Sequence, residues 1–227
     1  MKKIIFNKGK IFEFEESIPS LKDAPTITHE DATTLLQKTN DLFQRFNIPY
    51  MLSSGTLLGA IRDNDFIKGD FDVDIQTNNE QVLLDNLQNL YDNGLKLVRA
   101  EKNELYSFRL NDNCYIDVYI ISKARKFPWS LYCYKVHDCY LPKSLFTGVE
   151  FVDFVNRRIP VPKNPIKLIK WWYGKDWRIP ADKNSYYYHY DVWSHYIFVN
   201  PKDTIKQIIR RLIGNKTYLA IKSKFKK

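Results

Sequence analysis

The stretch 53–76, SSGTLLGAIRDNDFIKGDFDVDIQ, constrains this chain more than any other. It opens on a small-residue turn, Ser53-Ser54-Gly55-Thr56, runs through an apolar segment to Arg62, and closes with Asp70, Asp72 and Asp74 at alternate positions. Alternate residues of a strand share a face, so these acids point one way while Phe71, Val73 and Ile75 point the other, toward a core. Two carboxylates roughly 4 Å apart repel by about 4 kcal/mol at an effective dielectric near 20. Such a face needs a cation against it, and hard divalent ions such as Mg²⁺ prefer carboxylate oxygens.

The surrounding pattern places this stretch among alternating helices and strands. Thr28, with Asp31 three residues on, caps a helix expected over 29–46, whose Ala32, Leu35, Leu36, Leu42, Phe43 and Phe46 follow the helical period and which Pro49 ends. Tyr50-Met51-Leu52 reads as a short buried strand, and 56–62 as a helix whose N-terminus holds the Ser-Gly-Thr turn. A helix N-terminus built from Ser54, Gly55 and Thr56 suits a phosphate. Arg62 is a candidate bidentate phosphate clamp, or a salt-bridge partner for a nearby Asp; Arg109 is a weaker candidate of the same kind. The acidic strand covers 71–77. A helix is expected over 80–92, closed by Gly94, and strands over 96–101, 105–110 and 114–121, the last two joined by Asn111-Asp112-Asn113. In the last strand Ile116, Val118 and Ile120 face one way and Asp117 the other, flanked by Tyr115 and Tyr119. Alone, Asp117 also reads as a hydrogen-bonded strand acid. With Asp72 and Asp74 it forms a set of three carboxylates from two adjacent strands, which suits two-metal phosphoryl chemistry.

Further on, 131–161 alternates short strands and turns, with a hairpin expected around Asn156-Arg157 and a helix over 163–173 ended by Gly174. Trp171, Trp172, Tyr173, Trp177, Tyr186, Tyr187, Tyr188, Tyr190 and Trp193 gather here. They read as rings covering one end of the sheet, with a cage for a quaternary ammonium group as the alternative. His189 and His195 in the same run read as packing or surface residues rather than a general base.

Composition narrows the class. With 227 residues, 44% hydrophobic and 27% charged, the chain suits one sizeable core. Its three cysteines, Cys114, Cys133 and Cys139, lack metal-type spacing and read as reduced thiols. Ile4-Ile5-Phe6 is too short for a signal-peptide core, and no stretch has the length of a membrane-spanning helix, so the expectation is a cytoplasmic protein, peripheral on the inner face of the membrane. The net charge of +9 is concentrated: residues 202–227 hold nine Lys/Arg against Asp203 alone, or +8. A nucleic-acid binder usually wears its charge on the folded domain, so no nucleic-acid partner is expected. Ile205, Ile208, Ile209, Leu212 and Ile213 form an apolar stripe among the basic residues, which suits an amphipathic element on an anionic membrane surface.

Gly55-Thr56-Leu57-Leu58-Gly59-Ala60-Ile61-Arg62 followed by Asp70-Phe71-Asp72-Val73-Asp74-Ile75 resembles the signature of the LicD/fukutin family, a GTLLGxxR block and then a WDDDxD block. Residues 114–120 resemble the family's later strand with its single Asp. Arg158 to Pro162, then Tyr173-Gly174-Lys175-Asp176-Trp177 and Pro180, resemble its C-terminal block. The resemblance spans about residues 30–182. This chain departs from the pattern at Asp63 for His, Lys68 for Pro, Gly69 for Trp and Phe71 for Asp.

The resemblance implies an α+β fold: a mixed sheet like that of DNA polymerase beta-type nucleotidyltransferases, with flanking helices, here followed by a basic C-terminal helical tail. The concentration of charge sets the expected division, a domain over 1–201 and a basic extension over 202–227. The resemblance implies transfer of a phosphorylated alcohol, phosphocholine or a polyol phosphate, from a CDP-alcohol donor to a glycan or lipid-linked glycan acceptor, as in lipopolysaccharide or other cell-surface polysaccharide biosynthesis. Asp72, Asp74 and Asp117 would hold Mg²⁺ or Mn²⁺, and Ser54, Gly55, Thr56 and Arg62 the donor phosphates. The alternatives are a nucleotidyltransferase adding NMP to a small molecule or protein, and a non-catalytic module binding nucleotide or glycan. A GT-A glycosyltransferase, which also carries a DxD motif, needs a longer nucleotide-binding half than the 71 residues preceding Asp72.

Overall fold

The N-terminal hairpin, β1 (Lys2–Asn7) and β2 (Lys10–Glu15), turns at Lys8-Gly9, both at positive φ as a two-residue hairpin with the twist of its strands requires. Thr28 then starts α1 (His29–Arg45): its Oγ1 accepts the Asp31 amide proton at 3.1 Å and donates to the Asp31 carboxylate at 2.8 Å. Ala32, Leu35, Leu36, Leu42 and Phe43 lie on one buried face of α1, as the helical period expects. The computed structural model describes residues 1–17, 26–112, 114–126, 131–136, 139–174 and 176–180. The aromatic run from Tyr186 to Trp193, His189, His195, the expected division at 201 and the basic extension 202–227 lie outside the described residues.

The central sheet is mixed. β3 (Met51–Leu52) pairs antiparallel with β4 (Val73–Thr77), and β4 pairs parallel with β7 (Ile116–Lys126). Beyond β7 come β6 (Leu105–Arg109) and β5 (Lys96–Glu101), each antiparallel to its neighbour, giving the order β3-β4-β7-β6-β5. The parallel β4–β7 pair is the crossover that places two acid-bearing strands side by side and pointing the same way. The outer half of β7 pairs with β8 (Leu131–Val136), which pairs with β9 (Cys139–Pro142). Val73, Ile75, Ile116 and Val118 are fully buried on the core face. This is the α+β mixed sheet that the resemblance implies.

Two short helices, α3 (Glu80–Asp85) and α4 (Leu87–Asp92), stand where the periodicity predicts one helix over 80–92. The break has a local cause. The Asn86 side-chain Nδ2 donates to the Val82 carbonyl at 2.9 Å, taking the acceptor that its own backbone amide would use in a continuous helix, and that amide bonds Leu83 O instead. The last described elements are a hairpin, β10 (Val149–Phe154) and β11 (Arg157–Pro162), and α5 (Pro165–Tyr173), which ends at Gly174 with φ +81. β11 lies against β3, and α5 packs on α2 (Ser54–Arg62), the helix that leads into the acidic stretch. Among the described residues no helix is long and apolar enough to cross a membrane. Cys114 is a free, buried thiol, pushed up to about 12 by burial and then by the charge of Asp31.

Candidate active site

The head of α2 is built by its small residues. Ser53 is extended, Ser54 sits at φ +43, and the helix begins there, so the chain reverses sharply from β3 into α2. The Thr56 hydroxyl, only 1% exposed, accepts the Asp74 amide proton at 2.8 Å, and the Ser53 amide donates to the Asp74 carbonyl at 3.1 Å. These two bonds clamp the start of β4 to the start of α2. The Gly55 amide donates to Asp74 Oδ2 at 3.2 Å.

Gly55 and Gly59, one turn apart, share a face of α2. A Cβ on Gly59 would stand 2.4 Å from the Asp65 carbonyl oxygen and 3.1 Å from the Ile67 amide nitrogen; one on Gly55 would stand 2.8 Å from Asp70 Oδ2. The loop between α2 and β4 therefore lies directly on the helix, and the bare face of α2 guides it back to the acidic run. Gly69, at φ +88, turns the chain into Asp70. This backbone demand accounts for a glycine at that position.

Strand register completes the site. Asp74 stands opposite Asp117 in the parallel pair β4–β7, and Asp117 stands opposite Ser107 on β6. Asp72, at the lip of β4, joins them: a carboxylate oxygen from each of Asp72, Asp74 and Asp117 lies within 4.8 Å of the other two. Asp74 and Asp117 are buried at 6% and 5% exposure. Ser107 Oγ, fully buried, donates to Asp117 Oδ1.

Burial, then the charges of Asp70 and Asp117, push the Asp72 carboxyl up to about 8. Burial, then the charges of Asp72, Asp117 and Asp70, raise Asp74 well above the carboxylate range despite the Gly55 amide. Burial likewise raises Asp70, which shares a hydrogen bond with Asp72. Tyr115 lies beside this group. Burial and then the charges of Asp72, Asp117 and Asp74 raise its hydroxyl, so it stays protonated and able to donate. Clustered acids held this close and this dry take up protons unless a cation replaces them. Three oxygen donors at this spacing fit a hard divalent ion.

The structure thus brings together Asp72, Asp74 and Asp117 with Ser54 and Gly55 at the head of α2. Thr56 is adjacent, but its hydroxyl is engaged in the clamp on β4. Arg62 is the last residue of α2. It lies eight residues along α2, about 12 Å by helical rise, and its Nε and Nη2 donate to Asp63 at 2.9 and 2.6 Å. That is the salt bridge weighed against the phosphate clamp. Alternation puts Tyr115 on the same face of its strand as Asp117 but does not show that it lies against the acids, and Ser107 is not legible in sequence, because both faces of β6 are buried and only its register with β7 places it opposite Asp117. Asp70, seen in sequence on the acid face, joins the same cluster.

Residues 47–164 match the profile of the LicD/FKTN/FKRP nucleotidyltransferase domain, and the matched segment contains every one of these acids. The chain belongs to this family. Ribitol-5-phosphate transferase FKTN of Homo sapiens is 28% identical over 160 residues, 67% of this chain and 34% of that protein. An uncharacterised protein of Rickettsia typhi is 30% identical over 134 residues, 58% of this chain and 42% of that one. The chain spans about a third of the length of the FKTN relatives it matches. Among solved structures, the lincosamide antibiotic adenylyltransferase LnuA gives a TM-score of 0.44 at 15% identity, over 63% of this chain and 85% of that one. ANT(2'')-Ia in complex with adenylyl-2''-tobramycin gives 0.42 at 15%, over 65% and 78%.

Proposed function

We propose that the chain is a metal-dependent phosphotransferase. It moves a phosphorylated alcohol, phosphocholine or a polyol phosphate, from a CDP-linked donor to a glycan hydroxyl in cell-surface polysaccharide or lipopolysaccharide biosynthesis. The observation that carries this is the buried set Asp72, Asp74 and Asp117 at the head of α2 in a LicD/FKTN/FKRP domain. The ribitol-5-phosphate transferase among its relatives supports an alcohol phosphate as the transferred group. In the reaction a bond forms between the acceptor oxygen and the phosphorus of the alcohol phosphate. The bond from that phosphorus to the CMP oxygen breaks, and the acceptor proton leaves.

Asp72, Asp74 and Asp117 would hold Mg²⁺ or Mn²⁺, which supplies the positive charge that polarises the phosphate and the attacking hydroxyl. Ser107 fixes the orientation of Asp117 through its hydrogen bond. The Asp74 amide donating to the Thr56 hydroxyl and the Gly55 amide donating to the Asp74 carboxylate fix Asp74 against α2, whose first turn, Ser54 and Gly55, would face the phosphates. Purified protein incubated with a panel of CDP-alcohols, a glycan acceptor and Mg²⁺ or Mn²⁺ is expected to release CMP. Asp72→Asn or Asp74→Asn is expected to abolish release while the protein stays folded by circular dichroism. An NMP group left on the acceptor, or full activity in the double variant, would sink this reading.

The acceptor side of the proposal uses the basic segment 202–227, held on anionic lipid at the inner membrane face, each basic residue contributing about 1 kcal/mol there. Deleting 202–227 should move the protein from pelleted anionic vesicles to the supernatant. Unchanged partitioning counts against a membrane-bound acceptor.

A further inference from the structure

The acids lie in a row that does not stop at Ser107. Asp74 on β4 stands opposite Asp117 on β7, Asp117 opposite Ser107 on β6, and Ser107 opposite Arg99 on β5. Cross-strand partners share a sheet face, so the carboxylate row ends on a guanidinium. The β5–β6 register shifts between Leu97 and Arg99. Had β5 run regularly from the Leu97–Phe108 pair, buried Val98 would have stood opposite Ser107 and Arg99 would have turned to the other face. The extra residue re-aims Arg99 onto the acid face, which is what bulges beside active sites do.

Strands are spaced by about 4.8 Å, so Arg99 starts about 10 Å from Asp117. The intervening residue is a serine, and an arginine side chain is long enough to cover much of that span. Burial opposes the Arg99 charge. The hydrogen bond and charge of Glu101, together with the charge of Asp117, outweigh it and hold the guanidinium above its ordinary range. Glu101 Oε1 accepts from Nε and Nη2 at 2.8 and 2.6 Å, which leaves Nη1 without a hydrogen bond among the described residues. The side chain is 31% exposed and open to a solute. Arg109, on the same face in the next row, is already taken by Asp112 at 3.0 Å and by Ser17.

We propose that Arg99 is a phosphate-binding residue of this site, its guanidinium meeting the oxygens of the donor's diphosphate from the β5 side while Glu101 holds it at the rim. An anionic donor must approach a cluster of acids, and a planar cationic fork facing them matches phosphate oxygens. The proposal rests on the phosphotransferase reading above for the identity of the donor, but not for the binding itself.

The test is calorimetric titration of the full chain with Mn²⁺ alone and then with inorganic pyrophosphate in saturating Mn²⁺, for the wild type, Arg99→Ala, Arg99→Lys and Arg99→Gln. Affinity for Mn²⁺ alone should not fall in any variant, because removing a cation that interacts with Asp117 can only favour a second cation there. Pyrophosphate affinity should fall roughly 10- to 100-fold in Arg99→Ala and Arg99→Gln, and by less in Arg99→Lys, as loss of a charged hydrogen-bonding partner predicts. Arg99→Gln keeps length and polarity, so it reads out the charge if the alanine variant does not fold. Wild-type affinity in Arg99→Gln, or no pyrophosphate binding by the wild type, overturns the proposal. Arg99-dependent binding with no CMP released from any CDP-alcohol upholds Arg99 and instead sinks phosphoalcohol transfer.

Discussion

At the scale of the residue, the two glycines of α2 separate stability from function. The Cβ of Gly59→Ala would meet backbone atoms, the Asp65 carbonyl at 2.4 Å and the Ile67 amide at 3.1 Å, and these cannot swing away. The Cβ of Gly55→Ala would meet a side-chain end, Asp70 Oδ2 at 2.8 Å, which can. Gly59→Ala should therefore destabilise the protein by about 1–3 kcal/mol, the usual range for overpacking, visible as a lower urea midpoint. Gly55→Ala should leave the midpoint nearly unchanged but displace Asp70 from the acid cluster, weakening Mn²⁺ binding measured by calorimetry. Equal losses of stability in the two variants would show that the loop does not rest on α2 as described.

At the scale of the element, the β10–β11 turn carries strain. Val155 and Asn156 both have positive φ, at +49° and +57°, as a two-residue turn between twisted strands demands, but Val155 is β-branched and poorly suited to that region. Its carbonyl accepts from Gln37 Nε2 at 2.6 Å, which ties the strained turn to α1. Val155→Asn keeps the carbonyl and relieves the side chain, so it should raise stability by about 1 kcal/mol in denaturant melts; a loss would mean that the packing of Val155 outweighs its strain. The same comparison of local and distant causes explains what was legible in the sequence. Thr28 and Asp31, the apolar stripe of α1 and the stops at Gly94 and Gly174 are local signals, and a helix starts or ends where each of them predicts. The acid alternation was legible too, because one of its faces is apolar. Asn86 was not, since its side chain competes with a helix that the apolar period supports. The two uses of Arg62, clamp or salt bridge, look alike in sequence, and its ion pair with Asp63 appears only once α2 is seen to end between them. Ser107 and Arg99 depend on strand register and on one bulged residue, which no local pattern encodes when both strand faces are buried.

At the scale of the whole molecule, the family-matched segment 47–164 is braced from outside itself. The Ile27 amide donates to the Asp70 carbonyl at 2.8 Å, Cys114 Sγ lies 3.7 Å from the Asp31 carbonyl, and α5 packs on α2. Folding thus holds the acids together against their own repulsion, and this has a measurable consequence for pH. Burial, then the neighbouring charges of Asp70 and Asp117, push the folded Asp72 carboxyl up to about 8, and Asp74 is raised in the same direction. In the unfolded chain both return to about 3.9. Between those values the folded protein keeps protons that the unfolded chain has released. The stability these groups contribute is therefore fully present below about pH 4 and is lost as pH rises through about 8. The Asp41 carboxyl, held low mainly by its hydrogen bond from Arg157, works the other way, but its contribution is lost only as pH falls below about 4, outside this window. In EDTA the melting temperature should accordingly fall between pH 5.5 and pH 8. Adding Mn²⁺ should restore it strongly at pH 8, where the ion competes with few protons, and weakly at pH 5.5, where binding must displace them. A melting temperature that rises from pH 5.5 to 8 in EDTA, with no response to Mn²⁺ at either pH, would remove Asp72 and Asp74 as metal ligands.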